Sequence, residues 1–198
     1  NYTGFLPSSV MFRWFEDRYS TSKHLFTLYS IARGLNAKTI LEIGFGRSTF
    51  VLARAAHLNR GKLVSCDNRD FSYLLSPGER SVVQFIHGNS DQAWTEISQG
   101  IDFAFLDYFS SESVTAEFCL KEIRECLKRM KTNGIIAVHD SFVEKYSLHD
   151  VLNRLLAGEN VEVLTLPYNY GLGLIRYKGP SAHGIHEDQD LKKDEPRQ

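Results

Sequence analysis

The chain has 198 residues, and its 23 Lys+Arg and 24 Asp+Glu residues give a formal net charge of −1. Hydrophobic residues make up 42% and charged residues 24%, a composition that is typical of globular proteins and excludes general disorder. The balanced charge excludes a global basic field for a nucleic-acid backbone, and no apolar run reaches the ~18 residues of a membrane span. Three cysteines without a CxxC pair favour a reducing compartment, and we expect a cytoplasmic protein.

Apolar runs alternate with helical patterns along most of the chain. An amphipathic helix comes first, with Thr21 or Ser22 as its N-cap and Gly34 near its end. The runs predict strands at Thr39–Ile43, Lys62–Cys66, Ser81–His87, Asp102–Leu106, Gly134–Val138, Val161–Leu166 and Gly171–Arg176. Helices are predicted at Ser48–Arg60, Asp91–Ser98, Glu112–Met130 and Leu148–Ala157. This alternation predicts an α/β fold with a mainly parallel sheet and helices on both faces.

The last two strands are predicted to pair differently from the others. Only Pro167–Tyr170 separates them, and this segment is too short for a crossover helix. Parallel neighbours need a crossover connection, whereas antiparallel neighbours need only a short turn. We therefore expect an antiparallel hairpin at the end of a parallel sheet.

The first strand runs into a glycine-bearing turn that is typical of a ligand site. Gly44 and Gly46 allow a tight turn and a close approach of the ligand, and the following helix presents its free N–H groups there. Glu42, two residues before the first glycine, favours a cationic ligand or an amino group over a phosphate. Asp67 follows the second strand, where a carboxylate can accept both hydrogen bonds of a ribose diol.

These motifs resemble those of the class I S-adenosylmethionine-dependent methyltransferases, in particular the small-molecule O-methyltransferases. Glu42-Ile-Gly-Phe-Gly-Arg-Ser48 is similar to their first motif, although Ser48 replaces its third glycine. Cys66-Asp67-Asn68 resembles their ribose-binding acid, and His87–Ala93 lies where they place an adenine-contacting loop. Phe105-Leu-Asp107 resembles the end of their fourth strand, and the terminal hairpin is typical of their sheet.

The resemblance implies a Rossmann-like sheet of seven strands in the order 3-2-1-4-5-7-6, with the last strand antiparallel. It implies one methyltransferase domain over residues 1–178, divided into an N-terminal helical cap (1–36) and a core (37–178). We expect residues 179–198 to form a polar tail outside the domain. The implied cofactor is S-adenosylmethionine, held by Glu42, Gly44, Phe45, Gly46, Ser48, Asp67, Asn68, Asn89, Ser90 and Asp107. For Asn89 and Ser90, the ordinary start of a helix is an equally natural interpretation.

Two acids end neighbouring strands and are the candidate catalytic groups. Asp107 closes the fourth predicted strand and Asp140 the fifth, so both should line the crevice at the carboxyl ends of the strands. The pair resembles the Mg²⁺ ligands of catechol-type O-methyltransferases, with the difference that Ser141 stands where they have asparagine. The alternative is a metal-free reaction in which His139 or Asp140 takes the proton of the methyl acceptor.

Three functions remain open from the sequence. The leading hypothesis is a methyltransferase that acts on a small molecule, at oxygen rather than nitrogen. Gly44-x-Gly46-x-x-Thr49 also fits an NAD(P)-dependent oxidoreductase, against which Glu42 and the terminal hairpin argue. The third is a methyltransferase-like protein that binds without catalysis. We expect a small-molecule partner and neither nucleic acid nor a membrane; the oligomeric state is open and includes a homodimer.

Overall fold

The computed structural model describes residues 21–107, 115–143 and 148–180. The predicted polar tail and most of the predicted N-terminal cap lie outside these residues. No helix in the described ranges is long and apolar enough to cross a membrane. The strands are β1 Thr39–Ile43, β2 Lys62–Asp67, β3 Val83–His87, β4 Ile101–Leu106, β5 Met130–His139, β6 Val161–Leu166 and β7 Leu172–Tyr177. The α-helices are α1 Leu25–Gly34, α2 Arg47–Asn59, α3 Pro77–Arg80, α4 Ser90–Glu96, α5 Ala116–Leu127 and α6 Leu148–Gly158, with short 3-10 turns at Thr21–His24 and Ser72–Leu74.

The strands form one seven-stranded sheet in the order β3-β2-β1-β4-β5-β7-β6. β1 pairs in parallel with β2 and β4, and β2 with β3. β7 is antiparallel to both β5 and β6. The predicted order and the terminal hairpin are therefore confirmed, and the carboxyl ends of β1, β2, β4 and β5 lie along one edge of the sheet.

Apolar side chains on both faces of the sheet pack against helices. Along β4, Phe103 and Phe105 are wholly buried on the face that packs against α1 and α2. Ala104 and Leu106 alternate with them and are buried on the face of α4, α5 and α6. Burial on both sides explains why this strand is almost continuously apolar in the sequence.

Two predicted boundaries are wrong near β5. The helix predicted to run to Met130 ends at Leu127, and the strand predicted to begin at Gly134 already begins at Met130. The strand is longer because β4 and β5 pair at Ile101 and Met130, ahead of a register shift. This irregularity in the pairing interrupts the apolar pattern from which strands are predicted.

The N-terminal helix also begins differently from the prediction. A 3-10 turn at Thr21–His24 precedes α1, and neither Thr21 nor Ser22 is the N-cap. The Thr21 hydroxyl donates to Asp107 Oδ2 at 2.9 Å, and Ser22 Oγ accepts from Arg47 Nη1 at 2.8 Å. Both hydroxyls are thus engaged with distant parts of the chain instead of capping the helix.

Candidate active site

The glycine turn after β1 packs directly against the end of β4. Gly44 has φ +96°, a conformation that favours glycine, and its N–H donates to the Cys66 carbonyl at 2.8 Å. A Cβ atom on Gly44 would lie 2.2 Å from the Asp107 carbonyl oxygen. Glycine is therefore required here by both the backbone conformation and the contact with β4.

Glu42 lies beneath the turn. Its side chain is completely buried, and the hydroxyls of Ser48, Thr49 and Ser65 each donate to its carboxylate at 2.6 Å. Burial raises the pKa of Glu42 to about 7, although the three hydroxyls lower it. Glu42 thus joins Ser48, after the turn, to Ser65 on β2 through buried hydrogen bonds. The sequence analysis did not predict this network. Direct contact of Glu42 and Ser48 with a cofactor stays a prediction.

Asp67 at the end of β2 is joined to the same turn. Its Oδ2 accepts from the Phe45 N–H at 2.9 Å, and its Oδ1 accepts from the Arg69 N–H at 2.8 Å. The Phe45 ring stacks on Phe71 with a centroid distance of 5.7 Å. The predicted ribose acid therefore lies beside the glycine turn, as the strand order requires.

The predicted adenine loop lies on the same side of the sheet, after β3. Asn68 is exposed, and its carbonyl oxygen is 3.2 Å from His87 Nε2. Asn89 precedes α4, and its N–H donates to Gln92 Oε1 at 2.9 Å. Ser90 is the first residue of α4. The bond between Asn89 and Gln92 belongs to an ordinary helix start, and a contact of this loop with a nucleoside stays a prediction.

The two predicted acids meet at one histidine. His139 Nδ1 lies 3.0 Å from Asp107 Oδ1 and 3.2 Å from Asp140 Oδ1. The carboxylates of Asp107 and Asp140 are partly exposed, with 24% and 21% of the side chain accessible, whereas the ring of His139 is buried. The two acids thus lie close together with His139 between them, and that they line one ligand crevice stays a prediction.

The histidine offsets part of the negative charge of this cluster. Burial by itself lowers the pKa of His139, but hydrogen bonds to Asp107 and Asp140 outweigh it and raise the pKa to about 9. At neutral pH the Nδ1 proton is therefore in place between the carboxylates. Because two neighbouring carboxylates repel each other, this positive charge stabilises the pair.

The predicted Mg²⁺ ligands come together, but the group between them is not an Mg²⁺ ligand. One atom each of Asp107, His139 and Asp140 lies within 4.8 Å of the others. Mg²⁺ takes oxygen ligands, whereas the third group here is an imidazole nitrogen that already bonds both acids. Ser141 Oγ, at the position of the asparagine in the catechol-type pattern, is buried and has no hydrogen-bond partner among the described residues. As arranged, these residues do not fit Mg²⁺.

Thr21 and His24 contact the cluster of Asp107, His139 and Asp140. The sequence analysis did not predict these contacts. The Thr21 hydroxyl donates a hydrogen bond to Asp107 Oδ2. His24 is buried, its Nε2 lies 3.1 Å from the Asn169 carbonyl oxygen, and its ring centroid is 5.1 Å from that of His139. Burial lowers the pKa of His24 to about 4, so its ring is neutral. No local sequence pattern signals these contacts, because they join the N-terminal turn to β4, β5 and the β6–β7 turn.

The fold is shared with solved methyltransferase structures. The methyltransferase PaMTH1 of Podospora anserina, bound to S-adenosylhomocysteine, aligns with a TM-score of 0.63 at 18% identity, over 90% of this chain and 91% of that chain. The O-methyltransferase TomG of Streptomyces achromogenes, involved in tomaymycin synthesis and in complex with S-adenosylmethionine, aligns with 0.66 at 17% identity, over 87% and 89%. A Bacillus cereus O-methyltransferase in complex with S-adenosylhomocysteine aligns with 0.62 at 15% identity, over 86% and 88%. At these identities the likeness is one of fold.

Sequence comparison identifies the family. Comparison with curated proteins gives no significant match. A family model described as a methyltransferase domain matches residues 41–141, which include the glycine turn, Asp67 and the His139 cluster. This family decides against the oxidoreductase alternative. Because the match covers just over half of the 198 residues, the chain belongs to this methyltransferase domain family, and its resemblance to the class I S-adenosylmethionine-dependent methyltransferases is confirmed.

Proposed function

We propose that this protein transfers the methyl group of S-adenosylmethionine to an oxygen atom of a small molecule. The observation that carries the proposal is the pair of partly exposed carboxylates around His139, at the sheet edge that also bears the glycine turn. The names of its structural neighbours support the cofactor and the acceptor atom. All three are in complex with S-adenosylmethionine or S-adenosylhomocysteine, and two are O-methyltransferases.

The cofactor lies along the ends of β1 and β2 in this proposal. The turn from Gly44 to Gly46 takes the methionine portion and the ribose edge, because it follows β1 at the carboxyl edge of the sheet, where ligands of such folds bind. Asp67 takes the ribose hydroxyls. Each of its oxygens accepts one backbone N–H, and a carboxylate oxygen can accept a second hydrogen bond. Asn68, Asn89 and Ser90 border the adenine.

Asp140 takes the proton of the acceptor hydroxyl. Both oxygens of Asp107 accept hydrogen bonds, one from Thr21 and one from His139. Among the described residues, Asp140 Oδ2 accepts none, whereas Asp140 Oδ1 faces His139. His139 is buried and holds the two carboxylates in place, so it orients the base instead of meeting the acceptor.

The reaction is a single displacement at the methyl carbon. The acceptor oxygen forms the new bond to the methyl group while the bond from the methyl group to the sulfonium sulfur breaks. The hydroxyl proton passes to Asp140 Oδ2, and the sulfur keeps the electron pair, which gives S-adenosylhomocysteine. Holding the two reactants in line supplies much of the rate, and a positioned base adds about 10²–10⁴-fold. No step uses a metal.

The experiment compares Asp140→Asn with the wild-type protein, using radiolabelled S-adenosylmethionine and catechol as the probe acceptor. We expect kcat to fall by about 100-fold, since a positioned base is removed. Asp150→Asn, an exposed acid in the first turn of α6, is the matched control and should keep wild-type activity. Wild-type activity should also survive EDTA.

Two results would contradict the proposal. Loss of activity in EDTA with recovery in Mg²⁺ or Mn²⁺ would replace the base mechanism with the metal-assisted one. Wild-type protein that binds S-adenosylhomocysteine but never transfers a methyl group to catechol would favour the non-catalytic alternative.

A further inference from the structure

We propose that Thr21 is a positioning residue that selects which carboxylate accepts the proton; this inference rests on the proposed function. Thr21 lies 86 residues before Asp107 in the chain, yet its Oγ1 donates to Asp107 Oδ2 at 2.9 Å. The acceptor is a carboxylate, and hydrogen bonds to charged groups are the stronger ones. The bond therefore fixes the rotation of the Asp107 carboxylate.

The bond leaves one oxygen of the cluster for the reaction. With Oδ2 held by Thr21, Asp107 presents Oδ1 to His139 Nδ1 at 3.0 Å. His139 in turn faces Asp140 Oδ1 at 3.2 Å, which leaves Asp140 Oδ2 without a hydrogen bond from the described residues. Without Thr21, Asp107 Oδ2 competes with Asp140 for the acceptor hydroxyl, and part of the bound acceptor adopts an unproductive orientation.

The rest of the 3-10 turn holds Thr21 in place. Ser22 Oγ accepts from Arg47 Nη1 at 2.8 Å, which ties the turn to the first residue of α2. His24 is fully buried, and its Nε2 lies 3.1 Å from the Asn169 carbonyl oxygen in the turn between β6 and β7. These two anchors, on residues that follow Thr21, fix the turn that carries its hydroxyl.

Three variants separate positioning from simple attachment of this segment. Thr21→Val removes the hydroxyl at nearly constant shape, and Thr21→Ser restores it. Thr27→Val is the matched control, because Thr27 Oγ1 lies 3.0 Å from the Tyr168 hydroxyl and joins the same segment to the hairpin turn away from Asp107. The readouts are kcat and KM with S-adenosylmethionine and catechol, and the ring-nitrogen NMR signals of His139 in the ligand-free protein, assigned by their loss in His139→Gln.

We expect kcat to fall about tenfold in Thr21→Val with KM for S-adenosylmethionine within about twofold of wild type. The His139 ring signals should move in this variant. Thr21→Ser should restore both readouts, and Thr27→Val should change neither.

Unchanged kcat in Thr21→Val, or an equal loss in Thr27→Val, overturns the inference. If the wild-type protein transfers no methyl group, the proposed function fails. The His139 signals then decide by themselves: unchanged signals in Thr21→Val overturn the positioning role, and moved signals that return in Thr21→Ser support it.

Discussion

Glu42 shows how a single side chain links the turn to the stability of the fold. It is completely buried, and its only hydrogen-bond donors among the described residues are the hydroxyls of Ser48, Thr49 and Ser65. No cation compensates the ionised form in this network. The folded state therefore binds a proton at Glu42 more tightly than the unfolded state does, which makes the stability of the protein depend on pH.

The first prediction at this scale concerns that dependence. The folded pKa of about 7 lies above the ordinary value of 4.5. The stabilisation of the folded state by protonated Glu42 is therefore fully present below pH 4.5. It is lost as the pH rises toward 7, on the order of 3 kcal/mol in all. Chemical denaturation of the ligand-free protein at pH 5 and pH 8 should show a smaller loss of stability in Glu42→Gln than in wild type.

Glu117→Gln is the control, because the Glu117 side chain is 78% exposed. Its stability should follow the wild-type pH profile. If Glu42→Gln follows the wild-type profile as well, the buried carboxyl of Glu42 is not the source of the pH dependence.

The second prediction at the residue scale concerns the cofactor. Asp67→Ala should weaken binding of S-adenosylhomocysteine by about 1.5–3 kcal/mol, the range for hydrogen bonds to a charged group. Calorimetric titration measures the affinity. Asp70→Ala is the matched control, since Asp70 is an exposed acid in the same loop that accepts from the Ser72 N–H. Equal affinity in a folded Asp67→Ala protein would remove Asp67 from the ribose site.

At the scale of elements, the site depends on the contact between the β1 turn and the end of β4. Gly44 touches the Asp107 backbone, and Asp107 N–H donates to the Ile43 carbonyl at 2.9 Å. The turn that would hold the cofactor and the strand that supplies an acid are therefore one packed unit. A substitution in the turn therefore displaces the proposed cofactor-binding backbone and Asp107 together.

Gly44→Ala tests this unit. The new Cβ would lie 2.2 Å from the Asp107 carbonyl oxygen at φ +96°, so we expect a loss of at least about 2 kcal/mol in the free energy of unfolding. Gly34→Ala, at the end of α1, has no atom within 4 Å of its new Cβ and should not be destabilised. Urea denaturation compares the two. Equal stabilities would mean that the turn is not tightly packed on β4.

At the scale of the whole molecule, the proposed ligand should stabilise the fold. S-adenosylhomocysteine at about 100 times its Kd should add about 2.7 kcal/mol, a rise of about 5–10 °C in Tm for a domain of this size. NAD at the same concentration should leave Tm unchanged. A scan in which NAD raises Tm and S-adenosylhomocysteine does not would contradict the assigned cofactor.

Much of the fold could be predicted from the sequence because its signals are local. Apolar runs alternating with helical patterns indicated the parallel strands, and Pro167–Tyr170 was too short for a crossover, which indicated the hairpin. The positions of Asp107 and Asp140 at strand ends followed from the same pattern, since parallel strands present their carboxyl ends at one edge. The predicted boundaries were wrong at β5, where a register shift in its pairing with β4 interrupts the apolar pattern.

By itself, the sequence determined the alternating strands, the terminal hairpin, the glycine turn and the edge at which the two acids meet, whereas the strand order followed from the family resemblance. Only the tertiary structure decided what each polar group bonds: Ser65 with Glu42, Thr21 with Asp107, and His139 with both acids. Ser65 and Glu42 lie 23 residues apart along the chain, Thr21 and Asp107 lie 86 apart, and His139 and Asp107 lie 32 apart. A backbone pattern fixes where a strand ends, whereas the direction of a side-chain hydrogen bond depends on segments that meet only when the sheet and its helices are assembled.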